Sequence, residues 1–357
     1  MKRTRSCSIA VQGPLADKLL KELSGGKEGM ISSLSIYQSS GLDPFGNLAR
    51  EQVMLEHSPK DSLILYLWQN ENTVVVGRNQ NAFKEFRVSL LEEEGGKLAR
   101  RLSGGGAVFH DHGNLNFTFL MPQEDFDVRW QLEVICRACR TFGIPAEISG
   151  RNDLTAHGQK FSGNAFYKNG IQAYHHGTLL MNADMSKLGR YLSPPIAKLK
   201  AKGVDSVRSR VTNLCDLAPG LTRDALVEQL IFAAEAVYGF TAQSLQFTPE
   251  MEAETARLTE HYASQAWRFG ANTPASFSCE KTFPRGSVSL ELQIEKGIIS
   301  HAAVFTDAME WELSHQLQDA LEGREFTRTA ILESLSNTKI QSRIREDLSR
   351  MPAEQEI

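Results

Sequence analysis

The feature that most constrains how this chain folds is a short run that joins two arginines, three consecutive glycines and an apolar strand. It reads Arg100-Arg101-Leu102-Ser103-Gly104-Gly105-Gly106-Ala107-Val108-Phe109-His110. Glycines lack a Cβ, so their backbone can approach a ligand closely and expose N–H groups. Flanking guanidiniums can grip carboxylate or phosphate oxygens. The run is neither a P-loop nor a dinucleotide fingerprint, because the residue spacing of both is absent. It predicts either an anion-binding turn against a sheet or a plain glycine-rich turn between strands.

Hydrophobic patterning predicts an α+β fold with a mixed, mainly antiparallel sheet. Apolar side chains at alternate positions over 115–121 are typical of a strand with one apolar face. Residues 62–68 and 73–77 predict a hairpin. Asn169-Gly170 predicts a tight turn between strands over 160–167 and 171–181. Because the strands occur in hairpins and separated runs among helices, the pattern excludes a regular βαβ alternation.

Capping residues predict where the helices begin and end. Asp43 with Pro44 begins one helix. A helix over 128–142 ends at Gly143, and a later helix begins at Thr222 and ends at Gly239. The chain then divides into a variable N-terminal extension over 1–33, a main unit over 34–249 and a smaller α+β unit over 250–350. In the smaller unit a charged helix, a hairpin over 287–294 and 298–305 and two helices are predicted, the last capped by Thr327.

Composition excludes several classes of protein. The formal net charge of −4 argues against a general nucleic-acid or membrane-surface binder, and no apolar run reaches the length of a membrane span. The five cysteines are few and scattered, as expected in a reducing cytoplasm. Cys136 and Cys139 form a C-x-x-C, but apolar residues flank them at helical spacing. They are therefore predicted to be buried helix residues rather than redox or metal-binding groups.

A second polar segment punctuated by glycines lies between residues 149 and 165. Lys160 stands at a predicted strand start, where its ammonium could neutralise a carboxylate or phosphate in a cleft. Asp153 could hold Mg²⁺, which binds proteins through one or two carboxylates together with phosphate oxygens. The alternatives are a solvated surface lysine and an Asx-type turn at Asn152-Asp153. His175 and His176 are adjacent in a strand and therefore face opposite ways, which argues against a metal site built from both.

Six segments in order resemble the lipoate–protein ligase A family from about Leu34 to the end of the chain. They are 74–81 (Val-Val-Val-Gly-Arg-Asn-Gln-Asn), 100–111, 150–154 (Gly-Arg-Asn-Asp-Leu), 160–165 (Lys-Phe-Ser-Gly-Asn-Ala), 175–180 (His-His-Gly-Thr-Leu-Leu) and 202–213. The resemblance implies a biotin/lipoyl-ligase-type catalytic domain over 34–249 and a small C-terminal accessory domain over 250–350. It also implies a two-step reaction in which lipoate and MgATP give lipoyl-AMP, and a lysine of a lipoyl domain is then acylated.

The resemblance also implies roles for individual residues. Lys160 bridges the acyl oxygen and the phosphate as the catalytic residue, Asp153 is the Mg²⁺ ligand, and residues 194–211 form an adenylate-binding loop. Apart from the resemblance, which supplies no base for the acceptor lysine, His176 is a candidate for that role. The residues implied to bind lipoate and ATP are Arg78, Arg101, Ser103, Gly104, Gly105, Gly106, Ala107, Val108, Phe109, Asn152, Asp153, Lys160 and His176.

One departure from the family leaves alternatives open. Leu102 stands where related ligases often carry a third arginine, which removes a charge beside the nucleotide. The alternatives are a transferase that uses preformed lipoyl-AMP, octanoyl or lipoyl transfer between proteins without ATP, and a non-catalytic lipoate sensor. The expected acceptors are the apo lipoyl domains of 2-oxoacid dehydrogenase acyltransferase subunits and the glycine cleavage H protein. Nucleic acid and membrane are not expected partners, and the expected location is the cytoplasm.

Overall fold

The structure is a computed structural model that describes residues 31–57, 59–82, 86–150, 153–191, 211–269, 277–283, 286–295 and 297–336. Three sequence predictions lie outside these ranges: the N-terminal extension apart from its last residues, the candidate ligand residue Asn152, and nearly all of the loop over 194–211.

The strands of the described residues number fifteen. They are β1 (Ser33–Gln38), β2 (Ser62–Trp68), β3 (Thr73–Val76), β4 (Lys97–Arg100), β5 (Val108–His110), β6 (Asn114–Pro122), β7 (Ala146–Ser149), β8 (Asp153–Ala156), β9 (Gln159–Ser162), β10 (Asn164–Lys168), β11 (Gln172–Leu180), β12 (Ala242–Ser244), β13 (Phe277–Phe283), β14 (Gly286–Glu295) and β15 (Ile298–Thr306).

Ten α-helices accompany them in the same ranges. They are α1 (Pro44–His57), α2 (Val88–Glu93), α3 (Val128–Arg140), α4 (Met185–Tyr191), α5 (Leu214–Leu217), α6 (Arg223–Tyr238), α7 (Pro249–Ala263), α8 (Gln265–Phe269), α9 (Leu313–Leu321) and α10 (Arg328–Ser336). None of these helices is long and apolar enough to cross a membrane.

A six-stranded sheet in the order β10-β11-β6-β2-β1-β12 forms the centre of the main unit. β6 pairs antiparallel with β2 and β11, whereas β1 pairs parallel with β2 and β12. One face carries Phe117 and Phe119 and packs against α3 and α6. The other face carries Tyr66 and Tyr174 and packs with α1 and α7. The mixed, mainly antiparallel α+β class is confirmed, with both faces of the sheet covered.

The second face of β6 carries polar side chains that are also buried, and the candidate active site described below lies beside them. Asn114, Asn116 and Thr118 are each at most 1% exposed. Trp68 of β2 and Thr178 of β11 lie opposite Asn116. Trp68 in turn contacts the ring of His110 in β5, which belongs to a second sheet in the order β4-β3-β5. The small sheet therefore lies next to a polar patch of the large one.

The predicted hairpin of residues 62–68 with 73–77 is wrong. β2 pairs with β1 and β6, whereas β3 pairs with β4 and β5 in the small sheet. All seven side chains of β2 are buried, so this strand needs a neighbour on each edge and cover on both faces. The connecting Asn70 is fully buried and hydrogen-bonds to Asn47 of α1 and to His110, which directs the chain out of the large sheet.

Lys160 does not lie in the hairpin predicted around Asn169-Gly170. That turn joins β10 and β11 as expected. Lys160 lies instead on β9, in a separate sheet ordered β7-β8-β9. Gly163 separates β9 from β10, and its N–H donates to the Thr178 Oγ1 of β11 (3.1 Å). The two strands are therefore consecutive in sequence but belong to different sheets, β9 to the three-stranded sheet and β10 to the six-stranded one.

Local capping predictions are confirmed by the hydrogen bonds at the helix ends. Gly46 N–H donates to the Asp43 carboxylate (2.9 Å), and Ala225 N–H donates to the Thr222 hydroxyl (3.2 Å). Gly143 and Gly239 both adopt a φ of 77°, the left-handed conformation that favours glycine at a helix end. The hairpin β14–β15 is also present.

The C-terminal part has a hydrophobic core of its own. The sheet β13-β14-β15 packs against α9 and α10 through residues such as Leu292, Val304 and Leu317. The preceding helix α7 packs against α1, and its Tyr262 hydroxyl donates to Gln52 (2.8 Å). The division of the chain at 249 and 250 stays a prediction.

Candidate active site

The glycine-rich loop joins β4 to β5 and is held in place by Arg101. This side chain is buried, and its guanidinium donates to the carbonyl oxygens of Val75 (3.2 Å), Gly104 (2.7 Å) and Gly106 (2.7 Å). Its Nε also donates to the Ser103 hydroxyl (2.9 Å). Burial lowers the pKa of Arg101 to about 10, opposed by the nearby Tyr174 and Glu51. The guanidinium is still protonated at neutral pH and braces the loop from inside.

Ser103 begins a chain of buried hydrogen bonds that crosses to α1. Its Oγ lies 2.8 Å from Nε2 of His176 on β11. The other ring nitrogen of His176, Nδ1, lies 2.9 Å from Oε1 of Glu51 on α1. The same carboxylate oxygen accepts a bond from the Thr118 hydroxyl (2.7 Å). Glu51 is only 2% exposed and Ser103 is fully buried.

The proton positions along this chain follow from what each group can do. A carboxylate only accepts, so His176 Nδ1 carries the hydrogen toward Glu51. Ser103 Oγ accepts from Arg101, which leaves its own hydrogen free to point to His176 Nε2. The connectivity matches that of a serine–histidine–carboxylate triad. However, Ser103 has no exposed surface, so its hydroxyl braces the loop and does not serve as a nucleophile.

Lys160 carries an accessible charge at the edge of the site. Its Nζ lies 2.6 Å from Oδ1 of Asp153 on β8, and the two side chains are 37% and 45% exposed. Thr212 N–H donates to the Lys160 carbonyl oxygen (2.9 Å), which anchors β9 to residues 211–212. Because the pair is half-exposed, the ammonium can exchange its carboxylate partner for a ligand at small cost.

Strand β11 lies between Lys160 and the glycine-rich loop and has residues near both. A Cβ placed on Gly163 would lie 3.9 Å from Cε of Lys160 and 3.5 Å from Oγ1 of Thr178. Thr178 and His176 are two residues apart on β11, so they share a face of the sheet. His176 in turn bonds to Ser103 in the loop. Lys160 therefore lies close to the sheet face that carries Thr178 and His176, and the loop contacts the same face through His176.

The C-terminal part covers the outer side of the loop. Gly105 N–H donates to the Ala308 carbonyl oxygen (2.9 Å), and Thr306 N–H donates to the Asn79 carbonyl oxygen (2.7 Å). The guanidinium of Arg78 lies over two indole rings, 5.3 Å from that of Trp267 and 5.5 Å from that of Trp311. Stacking of this kind is a cation–π contact. Arg78 thus stands at the junction between the loop and the C-terminal part.

Several buried polar atoms near the loop lack a hydrogen-bond partner within the described part of the chain. They are His110 Nε2, Asn114 Oδ1, Asn116 Nδ2 and Tyr174 Oη. Asn70 donates to His110 Nδ1, so Nε2 carries the hydrogen of the neutral ring. Burial lowers the pKa of His110 to about 3, with smaller effects from Arg101 and His176.

The described residues contain no cluster of three or more His, Cys, Asp or Glu side chains that could hold a metal ion. Asp153 supplies a single accessible carboxylate beside Lys160. One carboxylate is sufficient for Mg²⁺ only when a nucleotide supplies further oxygens. The donor set therefore fits a metal that arrives with phosphate, and it does not fit a metal held by protein groups alone.

Comparison with known proteins decides the family. The model of the lipoyl protein ligase A/B catalytic domain matches residues 43–235, more than half of the chain. The chain belongs to this family. A second model, the bacterial lipoate protein ligase C-terminus, matches residues 272–352. The matches include the glycine-rich loop, Lys160 and the C-terminal sheet.

Three similar solved structures have the same fold. P. falciparum LipL1 in complex with lipoate is 25% identical, with a TM-score of 0.79 over 90% of this chain and all of that one. A bipartite lipoate protein ligase with its E2 lipoyl domain from Thermoplasma acidophilum is 25% identical, with a TM-score of 0.62 over 70% of this chain and all of that one. Lipoate–protein ligase A bound with ATP is 24% identical, with a TM-score of 0.59 over 67% of this chain and 99% of that one. At this level of identity the similarity shows a shared fold and nothing further.

Sequence reasoning on this lipoyl ligase family member missed Glu51, Thr118 and His110. A signal for Glu51 was present in α1. It falls three residues after Leu48 and four before Leu55, so a carboxylate occupies the buried stripe of the helix. A charge on a core-facing position needs a partner. The partner, His176, lies 125 residues away, and only the fold brings the two together.

The C-x-x-C pair is buried on a helix, as the apolar residues at helical spacing around it predict. Cys136 and Cys139 are fully buried on α3, and burial raises their pKa values to about 11 and about 12. At pH 8 less than about one thiol in a hundred is then ionised, and the thiolate is the reactive form. We expect both to resist Ellman's reagent in the native protein and to react within minutes in 6 M guanidinium. Fast native labelling of either cysteine, located by peptide mass spectrometry, would contradict this burial.

Proposed function

We propose that this protein is an ATP-dependent lipoate–protein ligase. It activates lipoate to lipoyl-AMP and transfers the lipoyl group to a lysine of an acceptor protein. The observation that carries the proposal is the accessible ammonium of Lys160, whose side chain lies close to the sheet face that the glycine-rich loop contacts through His176. The chain's membership of the lipoyl ligase family supports it, as does the lipoate bound to the similar P. falciparum protein.

In the first step, a carboxylate oxygen of lipoate forms a bond to the α-phosphorus of ATP. The bond from that phosphorus to the bridging oxygen breaks, and pyrophosphate leaves. Both reactants are anions, so their repulsion opposes approach. A fixed cation between the carboxylate and the α-phosphate lowers this barrier and stabilises the charge of the transition state. We assign this role to Lys160. Its ammonium would break its ion pair with Asp153 and bind the carboxylate and the α-phosphate instead.

The nucleotide is proposed to bind along the glycine-rich loop and its neighbours. The backbone of residues 104–109 would face the phosphates, and Arg78 and Asn152 would contact their oxygens. Asp153 would hold Mg²⁺, which supplies charge neutralisation on the phosphates when bound. Arg101 would contribute by holding the loop in shape, since its guanidinium donates hydrogen bonds to the carbonyl groups of the loop.

In the second step, the acceptor lysine attacks the lipoyl carbonyl carbon and AMP leaves. The attacking amine must first be neutral. His176 is a candidate base, but both of its ring nitrogens are hydrogen-bonded, to Glu51 and Ser103. These bonds favour a role for His176 in holding the site over one in moving protons.

The proposed acceptors are lipoyl domains of 2-oxoacid dehydrogenase acyltransferase subunits and the glycine cleavage H protein. A lipoyl domain accompanies the similar T. acidophilum ligase. A cytoplasmic location belongs to the same proposal.

The alternative is a transferase that does not activate lipoate. Two observations bear on this choice. Leu102 is 9% exposed and packs in an apolar cluster with Val75 and Ala99, so the residue that stands in place of the third arginine belongs to the core. Cys136 and Cys139 are fully buried on α3, which argues against a transferase that uses either of them as its nucleophile.

Pyrophosphate release tests the proposal directly. Purified protein with lipoate and MgATP is expected to release pyrophosphate, and omission of lipoate or its replacement by lipoamide is expected to stop the release. The carboxyl group is absent from lipoamide, so no mixed anhydride can form. If no pyrophosphate is released in response to lipoate, but the protein transfers the lipoyl group from synthetic lipoyl-AMP to an apo lipoyl domain, the protein is a transferase and the proposed ligase function is wrong.

A further inference from the structure

We infer that Glu51 is a positioning residue for the glycine-rich loop, on which it acts through His176 and Ser103. For its activity test this inference rests on the proposed function. The structural part stands on the hydrogen bonds alone. Glu51 lies on α1, fifty residues before the loop in sequence, and its carboxylate accepts hydrogen bonds from His176 and Thr118, which lie outside the loop.

The contacts form an unbroken buried path. It runs from Glu51 Oε1 to His176 Nδ1 (2.9 Å), from His176 Nε2 to Ser103 Oγ (2.8 Å), and from Ser103 Oγ to Arg101 Nε (2.9 Å). Each of the four residues is at most 6% exposed. Hydrogen bonds in such low-dielectric surroundings are strengthened by their neighbours, and removal of one group weakens the others.

The arrangement connects a buried negative charge to a buried positive one without direct contact. A direct ion pair would draw the terminal nitrogens of Arg101 to the carboxylate. Because Ser103 and His176 lie between the two charges, Nη2 of Arg101 stays with the carbonyl groups of Gly104 and Gly106. Glu51 thus favours the charged guanidinium while leaving it available to shape the loop.

Hydrogen exchange of the ligand-free protein tests the positioning role. Glu51→Gln keeps an oxygen acceptor of nearly the same shape but removes the charge. We expect amides of residues 102–107 to exchange at least tenfold faster, and those of β15 to be unchanged. The matched control is Glu56→Gln, the same substitution on the exposed side of α1, which is expected to leave the loop unchanged. A folded Glu51→Gln protein with wild-type exchange in the loop would overturn the inference.

Kinetics separate positioning from general stability. If Glu51 shapes the loop that binds the nucleotide, Glu51→Gln raises KM for ATP at least fivefold in pyrophosphate release and changes KM for lipoate less. A merely structural role would lower kcat in proportion to the folded fraction and leave KM for ATP unchanged, which would contradict the inference. A wild-type protein that releases no pyrophosphate would refute the proposed function, whereas the exchange result would still decide the role of Glu51.

Ser103→Ala provides a second route if Glu51→Gln does not fold. This change cuts the path at the loop while the Glu51–His176 pair stays intact. It is expected to speed loop exchange to the same degree. The double variant is expected to resemble the more affected single variant rather than the product of the two effects, since both interrupt one path. Unchanged exchange in Ser103→Ala, or fully independent effects in the double variant, would overturn the inference.

Discussion

Lys160→Ala is expected to lower the rate of lipoate-dependent pyrophosphate release by about 10²- to 10³-fold, the usual effect of removing one fixed transition-state contact. The reason is that no other cation replaces the ammonium between the two anionic reactants in the proposed mechanism. The fold is expected to survive. The Lys160–Asp153 pair is half-exposed, and pairs of this kind contribute at most about 1 kcal/mol to stability. Single-turnover pyrophosphate release and thermal unfolding of the same preparation measure both effects.

Lys168→Ala is the matched control for this prediction. Lys168 lies on the neighbouring strand β10, is exposed, and contacts the ring of Phe126 from 4.8 Å. It carries the same charge but lies outside the proposed site, so its removal should leave the rate within a factor of two. Near-normal turnover by Lys160→Ala would contradict the role proposed for this lysine. An equal loss in both variants would point to overall charge rather than to a placed ammonium.

Gly77→Ala is expected to abolish activity by displacing the glycine-rich loop. A Cβ on Gly77 would lie 2.0 Å from the carbonyl oxygen of Gly105 and 3.1 Å from its carbon. Both atoms are backbone, so no side-chain rotation relieves the overlap. The turn over residues 77–80 is itself fixed, because the Arg100 guanidinium donates to the carbonyl groups of Gly77 and Gln80. The loop must therefore move, and overpacking of this kind costs about 1–3 kcal/mol.

The comparison variant is Gly189→Ala on the exposed side of α4, where an added Cβ meets no atom within 4 Å. It should retain activity and gain slightly in stability, since alanine is favoured over glycine in helices. Urea unfolding and pyrophosphate release on both variants give the result. Full activity in Gly77→Ala would mean that the loop tolerates a shift of about 1 Å, since the 2.0 Å contact must open to at least 3.0 Å, and the fixed geometry proposed for the loop would be incorrect.

Local signals in the sequence predicted local structure well. The caps at Asp43 and Thr222, the Asn169-Gly170 turn and the alternation over β6 each depend on residues within a few positions of one another. Such features are determined by backbone sterics and by hydrogen bonds of neighbouring groups. The resemblance to lipoate–protein ligases identified the family from the order of short motifs.

Pairing between distant segments was harder to predict. The sequence does not distinguish a hairpin of β2 and β3 from two strands in different sheets, because both are short apolar runs joined by polar residues. The strand of Lys160 was assigned to the wrong sheet, since the change at Gly163 depends on a bond to Thr178. Likewise, the resemblance implies that Arg101 belongs to the part of the chain that binds lipoate and ATP, which stays a prediction. Its bonds to the carbonyl groups of the loop follow only from its burial in the fold.

Intact-mass measurement of an acceptor protein tests the central claim most directly. An apo lipoyl domain is incubated with the enzyme, lipoate and MgATP, and peptide mapping then locates any added group. The account predicts the mass gain of one lipoyl group on the acceptor lysine, dependent on ATP and on lipoate, and lost with Lys160→Ala. A domain left unmodified under these conditions, but modified when synthetic lipoyl-AMP replaces lipoate and ATP, would contradict the activation of lipoate by this protein.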